Sequence, residues 1–167
     1  MKTSLRESMR LWAIMIAILS LTTVITQAQQ EDKVIPVETV ASSLYSGVTE
    51  RMNVVITNNK AWKKLWKQVH STMSPRPPFP RIDFSEHIVI AVFLGERANS
   101  GDRISIVTLV KTGEALKVFT KETLGNPMCP GPPISVQPYH IVVTDLIENP
   151  QENVIFEEPE REQVKCH

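Results

Sequence analysis

The chain has 167 residues, of which 18 are Lys or Arg and 18 are Asp or Glu, so its formal net charge is zero. Its basic residues occur in twos rather than in one long patch, so they create no positive field that would concentrate nucleic acid or an anionic membrane. Charge and composition therefore argue against nucleic acid as a partner.

The first residues have the three-part pattern of a secretory signal peptide. Three basic residues precede an almost wholly apolar run at residues 11–25, and small residues follow at Thr26 and Ala28. The pattern predicts that residues 1–28 are a signal peptide and that the mature chain begins at Gln29. The apolar run of about 15 residues is shorter than the roughly 20 that a spanning helix needs, although a retained membrane anchor is the alternative.

Export would leave a slightly acidic chain of about 139 residues, with 15 basic and 17 acidic side chains. That length suits one domain with one hydrophobic core. No later apolar stretch is long enough to cross a bilayer. We therefore expect a periplasmic or extracellular protein without stable membrane insertion after signal cleavage.

Three segments are expected before the first helix. Residues 29–36 are polar and predicted to be loose, and residues 37–41 are predicted to form a short strand. Residues 48–57 alternate apolar side chains with others, which is the period-two pattern of a half-buried strand.

An amphipathic helix of about three turns is predicted next, with Asn58 or Asn59 as its N-cap. Its apolar positions recur at spacings of three and four: Trp62, Leu65, Trp66 and Val69. The two tryptophans could form a ligand platform, but both lie on the stripe that must face the core, so packing is the favoured interpretation.

The rest of the chain is predicted to form strands joined by loops. Prolines within residues 74–80 prevent the helix from continuing. Residues 86–94 contain an apolar run typical of a central strand covered on both faces. The other predicted strands are a hairpin at 103–110 and 115–123, a strong strand at 139–144 and a minor strand at 154–156.

These elements predict an α+β fold with a mostly antiparallel sheet of about five strands and one amphipathic helix packed on it. The expected order is a signal peptide at 1–28, an N-terminal segment at 29–47, a single domain at 48–156 and a charged, solvated tail at 157–167.

The two cysteines, Cys129 and Cys166, can pair in an oxidising compartment. We predict a disulfide that would attach the polar tail to the domain. Free thiols are one alternative. A metal site that also uses His167 is another, but two thiols and one terminal histidine make a poor cage.

The chain contains none of the local motifs that identify common catalytic sites. It lacks a Gly-x-Ser-x-Gly elbow, a His-Glu-x-x-His pair and a glycine-rich phosphate loop. We therefore predict no enzymatic activity, no cofactor and no metal. If distant residues did assemble a hydrolase, the candidates would be Asp83, Glu86, His87 and His140.

Several short motifs follow one another over about residues 50–145. They are Trp62, Trp66, Ile82-Asp83-Phe84, the strand end Phe93-Leu94-Gly95-Glu96-Arg97, Gly101 and Pro138-Tyr139-His140-Ile141-Val142. Their order and spacing resemble the PrcB C-terminal domain family of exported bacterial proteins. In the member that names this family, the resemblance implies an accessory role in a protease complex whose partner protease carries the catalysis.

The loop after the core strand departs from the pattern of that family, which usually reads Gly-x-Arg-x-Thr-Gly-Gly-Tyr. Three positions match, namely Gly95, Arg97 and Gly101. Three others differ, because Asn99, Ser100 and Asp102 replace the Thr, the first Gly of the pair and the Tyr. An interaction that needs an exposed aromatic side chain in this loop is therefore not expected.

The predicted recognition surface is the loop at residues 96–103 together with the Pro-rich loop at residues 128–133. Gly101 is expected to permit a positive φ at the turn. The predicted binding residues are Arg97, Asn99, Gly101, Asp102, Arg103 and Tyr139. The predicted function is a secreted, non-catalytic binding module for another secreted or envelope protein, with a protease as one such partner. The alternatives are a protease inhibitor that presents the 96–103 loop and a small hydrolase.

Overall fold

The structure is a computed structural model that describes residues 31–128 and 134–165. The predicted signal peptide, both cysteines of the predicted disulfide, His167 and residues 129–133 of the Pro-rich loop lie outside the described residues. The described residues form mostly β-strands with little helix, in an α+β arrangement. The elements are β1 (Lys33–Ile35), β2 (Glu38–Ser43), β3 (Met52–Ile56), α1 (Asn59–Val69), β4 (His87–Phe93), β5 (Arg103–Thr112), β6 (Ala115–Leu124), β7 (Tyr139–Asp145), α2 (Pro150–Asn153), β8 (Val154–Phe156) and β9 (Glu160–Gln163).

The strands of the described residues belong to two sheets. Sheet A has the order β1-β5-β6-β8, with β9 also paired to β6, and sheet B has the order β2-β7-β4-β3. Sheet B is antiparallel throughout, whereas β8 and β9 both run parallel to β6. Sheet A is therefore mixed.

Strand β4 is buried on both faces and separates two apolar clusters. Val89, Ala91 and Phe93 face the helix side, where they pack in one cluster with the residues of α1. Ile88 and Ile90 face sheet A and pack in a second cluster with residues of β5 and β6. The result is three layers, with α1 on one face of sheet B and sheet A on the other. The predicted central strand is confirmed.

Helix α1 begins after Asn58, whose Oδ1 accepts a 2.9 Å hydrogen bond from the Ala61 backbone N–H. The predicted N-cap is confirmed. Trp62 and Trp66 are buried against sheet B. Their ring N–H groups donate to backbone carbonyls of the proline-rich loop, at 3.0 Å to Pro80 and 3.5 Å to Pro77. Packing, rather than an exposed ligand platform, therefore accounts for both tryptophans.

The structure differs from the predicted single sheet of about five strands. Short β1 pairs with β5 at residues that were expected to be loose, and β2 then joins β7 in the other sheet. The N-terminal segment thus crosses from one sheet to the other after Pro36. Strand β2 overlaps the strand predicted at residues 37–41, which is confirmed. Polar side chains concealed β1 because it lies at a sheet edge, where only part of the strand is buried.

The charged tail also differs from its expected solvated form. Its side chains at Glu160–Gln163 are all exposed, but their backbone forms β9 against β6. Arg161 contacts the buried Glu122 side chain at 3.4 Å. Backbone pairing and this ion pair hold the tail, so Cys166 is not needed to explain its position. A further difference is the short helix α2 before β8.

No helix within residues 31–128 or 134–165 is long and apolar enough to cross a membrane.

Candidate functional site

The loop between β4 and β5 contains most of the predicted binding residues and is fixed at its base by backbone hydrogen bonds. Arg97 and Val136 form an antiparallel bridge in which each N–H donates to the other carbonyl, at 2.8 and 2.9 Å. The Glu96 N–H donates to the Thr49 carbonyl at 2.8 Å, and its carboxylate accepts from the Ser135 hydroxyl at 2.7 Å. The loop is therefore bound to the segments on both sides of it.

Asp102 is buried, with 4% of its surface exposed, and its carboxylate has partners on both oxygens. Oδ2 accepts from Arg97 Nε at 2.7 Å, and Oδ1 accepts from the Gly125 backbone N–H at 2.7 Å. A buried carboxylate requires such partners because desolvation is costly. Asp102 and Arg97 therefore hold the loop together, which differs from the expectation that Asp102 offers a contact to a partner.

The structure also revises the reason for glycine at position 101. The described glycines with positive φ are Gly95 and Gly113, and Gly101 is not among them. A Cβ atom at Gly101 would lie 2.8 Å from the Gly125 Cα atom, which is too close. The Asn99 side chain occupies the same corner and accepts from the Gly101 N–H at 2.9 Å. Close approach of two backbones, rather than a left-handed turn, requires this glycine.

The Arg103 guanidinium, unlike that of Arg97, has no acidic partner among the described residues. Its Nη1 donates to the Ser100 and Asp102 carbonyls at 2.6 and 2.8 Å, and it forms no ion pair among the described residues. Arg103 is exposed at the start of β5. Of the predicted site residues, it is the one that presents an unneutralised charge.

Tyr139 lies in the core on the helix side of sheet B and is 3% exposed. Its ring stacks on Phe93 at a centroid distance of 5.9 Å, and its hydroxyl is 3.4 Å from His70 Nε2. Burial raises the pKa of the Tyr139 hydroxyl. The Tyr139 ring therefore belongs to the core on the helix side of sheet B.

A cleft of about 340 Å³ opens beside Arg103, where the two sheets diverge. Three chain segments line the cleft: residues 42–44 at the end of β2, residues 103–105 at the start of β5 and residues 138–140 at the start of β7. Buried Ile104 and Pro138 contribute apolar walls, and Ser42 is an exposed polar residue at the rim. Sequence reasoning missed Ser42, Ile104 and Pro138 because only the meeting of the three segments gives them a common role.

His140 connects the sheets beside this cleft. Its Nδ1 accepts from the Ile106 backbone N–H at 2.9 Å, so the proton is on Nε2, which donates to the Thr39 hydroxyl at 2.9 Å. Burial lowers the pKa of His140, which favours this neutral form. Both ring nitrogens are thus committed to internal hydrogen bonds.

The four candidates for a hydrolase are not brought together. Asp83 and His87 line a second cavity of about 350 Å³ on the helix side of sheet B. Hydrogen bonds from Ser85 to Asp83, at 2.6 Å from its hydroxyl and 2.9 Å from its N–H, lower the pKa of that carboxyl. The His140 side chain projects from the opposite face of sheet B. It lies two residues from Val142 in β7, so both side chains are on the same face, and Val142 packs toward sheet A.

Glu86, the fourth candidate, is exposed beside Asp83 and likewise far from His140 in the register of β4 and β7. In the part of the chain that the structure describes, no three His, Cys, Asp or Glu side chains are placed to hold a metal ion.

Comparison with known proteins finds no matching family model, curated protein or solved structure.

Proposed function

We propose that this protein is an exported, non-enzymatic binding module that associates with another secreted or envelope protein. The observation that carries the proposal is the cleft between β2, β5 and β7, lined by Arg103, which forms no ion pair within the described part of the chain. A concave apolar site with a few directed polar groups is the usual form of a binding site.

The chemistry of the cleft favours binding over catalysis. A general base must be free to accept a proton from the substrate, but the lone pair of His140 Nδ1 already accepts a hydrogen bond from the Ile106 N–H. Arg103 is permanently charged and has no nucleophilic character. Arg103 and His140 can therefore contribute to binding a charged partner without reacting with it.

The two alternative functions receive less support. A protease inhibitor that presents the 96–103 loop would need side chains directed outward, whereas Asn99 and Asp102 are directed into the loop. A hydrolase that pairs Asp83 with His140 would need both within reach of one substrate atom, whereas the two lie on opposite faces of sheet B, and only Asp83 and His87 share a cavity. The resemblance to the PrcB C-terminal domain family agrees with an accessory role beside a protease.

The proposal is tested by crosslinking capture from native secreted and envelope fractions, with the mature chain from Gln29 as bait. Arg103→Ala is the test variant, and Arg81→Ala is its matched control, because Arg81 is an exposed arginine at the second cavity. We expect one dominant protein, captured by the unaltered chain and the Arg81 variant and reduced with the Arg103 variant. Failure of the unaltered chain to enrich any protein would contradict the proposal.

A further inference from the structure

Strand β5 has one edge that is only partly covered. Along its other edge it pairs with β6 from Arg103 to Thr112. On the open side β1 pairs with it, but only at residues Leu109, Val110 and Lys111. The first half of this edge therefore has no strand partner among the described residues.

The reason is the path of the N-terminal segment. Strand β1 runs antiparallel to β5 with Lys33 opposite Lys111 and Ile35 opposite Leu109. If β1 continued in the same direction, its next residues would lie opposite Ile106 and then Ile104 of β5. Instead the chain turns at Pro36 and enters sheet B as β2. The cleft lies beside residues 103–105 of β5, a stretch with which β1 does not pair.

The backbone of β5 is oriented to bind a strand at this position. The Ile106 N–H points away from β6, since it donates to His140 Nδ1. Backbone groups of alternate residues point to the same side of a strand, so the N–H and C=O of Ile104 also face the open edge. His140 already takes the Ile106 N–H, so the stretch of this edge that can accept an added strand is at residues 103–105, beside the cleft.

Side chains define the chemistry of that strand. A residue opposite Ile104 would direct its side chain inward, toward the apolar wall at Pro138, whereas a residue opposite Arg103 would direct its side chain outward. The Arg103 guanidinium has no acidic partner among the described residues. A carboxylate across from it would supply the missing charge.

Resting on the proposed function, we infer that the cleft binds an extended segment of the partner that carries an acidic side chain. The segment pairs with the open edge of β5 as an antiparallel strand, on the same side of β5 as β1. Its inward side chain is apolar and its carboxylate contacts Arg103. The lining at residues 103–105 corresponds to about 10 Å of strand, which is three residues at the usual rise.

Two synthetic peptides provide the direct test. Both are capped seven-residue peptides of alternating valine and threonine, and one threonine is replaced by glutamate in the first and by lysine in the second. The readout is amide hydrogen exchange at Ile104, followed by NMR on the mature chain. We expect the glutamate peptide to slow exchange at Ile104 by at least about tenfold, and the lysine peptide to have a much smaller effect.

Three variants make the test specific. Arg103→Glu is expected to reverse the preference, so that the lysine peptide protects Ile104. Ser42→Trp should fill the cleft from its exposed rim and abolish protection by either peptide. Arg81→Glu, at the second cavity, should behave as the unaltered chain does. Dispersed NMR spectra establish that each variant is folded.

The inference is wrong if neither peptide protects Ile104 at millimolar concentration, or if Arg103→Glu leaves the preference unchanged. Its failure is distinguishable from failure of the proposed function. If the Ser42→Trp and Arg103→Glu variants capture the partner as well as the unaltered chain does, the protein is still a binding module, but the partner does not bind at the edge of β5. Capture of no protein contradicts the proposed function, while the peptides still report on the edge independently.

Discussion

Arg97 Nε donates a 2.7 Å hydrogen bond to Oδ2 of Asp102, and the Asp102 side chain is 5% exposed while that of Arg97 is 42% exposed. The partly exposed arginine thus neutralises a buried carboxylate. Substituting Arg97 leaves that charge without its ion-pair partner, so the effect reaches beyond any surface that Arg97 presents.

We predict that Arg97→Ala lowers the free energy of unfolding by about 3 kcal/mol, because it leaves a buried charge uncompensated. Arg103→Ala is the matched control and should change stability by less than about 0.5 kcal/mol, as expected for a surface side chain without an ion-pair partner. Urea unfolding measures both. Equal effects of the two substitutions would contradict the assigned roles.

Glu122 should make stability depend on pH. Burial raises the pKa of this carboxyl, but hydrogen bonds and charges from Arg51 and Arg161 outweigh burial and hold the pKa below its usual range. A depressed folded-state pKa gives stability that is present above the unfolded value of about 4.3 and is lost as pH falls through the folded value.

The free energy of unfolding of the unaltered chain should fall as the pH drops below about 5, and we expect Glu122→Gln to make this fall smaller. Urea unfolding at a series of pH values measures the difference. Glu157→Gln is the control, because the Lys117–Glu157 pair is longer, at 3.6 Å, and more exposed. The assignment would fail if the control flattened the pH dependence as strongly as the Glu122 variant.

His140 should contribute a second pH dependence at higher pH. Burial lowers its pKa, and only the neutral ring can accept at Nδ1 from the Ile106 N–H. The unfolded state then binds the proton more tightly, so stability falls as pH drops from about 6.5 toward the lowered folded value. His140→Asn keeps an acceptor without a titrating group and should lose this dependence. An unchanged pH profile in thermal unfolding would refute the prediction.

Trp62 is fully buried between α1 and sheet B, and its ring is 5.2 Å from that of Trp66. We expect Trp62→Ala to cost about 3–5 kcal/mol, since the cavity would not be refilled. Phe79→Ala is the comparison, because Phe79 touches the same cluster but is 41% exposed. Its effect on the denaturant midpoint should be clearly smaller.

The signal peptide prediction is tested at the N-terminus of the secreted protein. Cleavage after Ala28 should leave Gln29 as the first residue, and Ala28→Leu should block processing because the minus-one position requires a small residue. Mass spectrometry of the exported protein distinguishes the cleaved form from the retained anchor.

Local patterns predicted the elements that carry strong periodicity. The α1 stripe with its Asn58 cap, the doubly buried β4 and the β5–β6 hairpin are all confirmed. In each case the residues themselves specify which face is buried. Strands β1 and β9 were not predicted, because short edge strands depend on backbone pairing that leaves little trace in side-chain polarity.

The features of the candidate site likewise fall into those that local sequence predicted and those that it did not. The sequence by itself determined the apolar faces, the helix cap and the absence of local catalytic motifs, because these depend on residue type and short spacing. Only the tertiary structure decided that Asp102 is buried, that Tyr139 belongs to the core and that Arg103 lines a cleft with no ion-pair partner in residues 31–128 and 134–165. Those properties depend on contacts between segments that are far apart in the chain, such as Asp102 with Gly125 and Tyr139 with His70, and such contacts cannot be read from local periodicity.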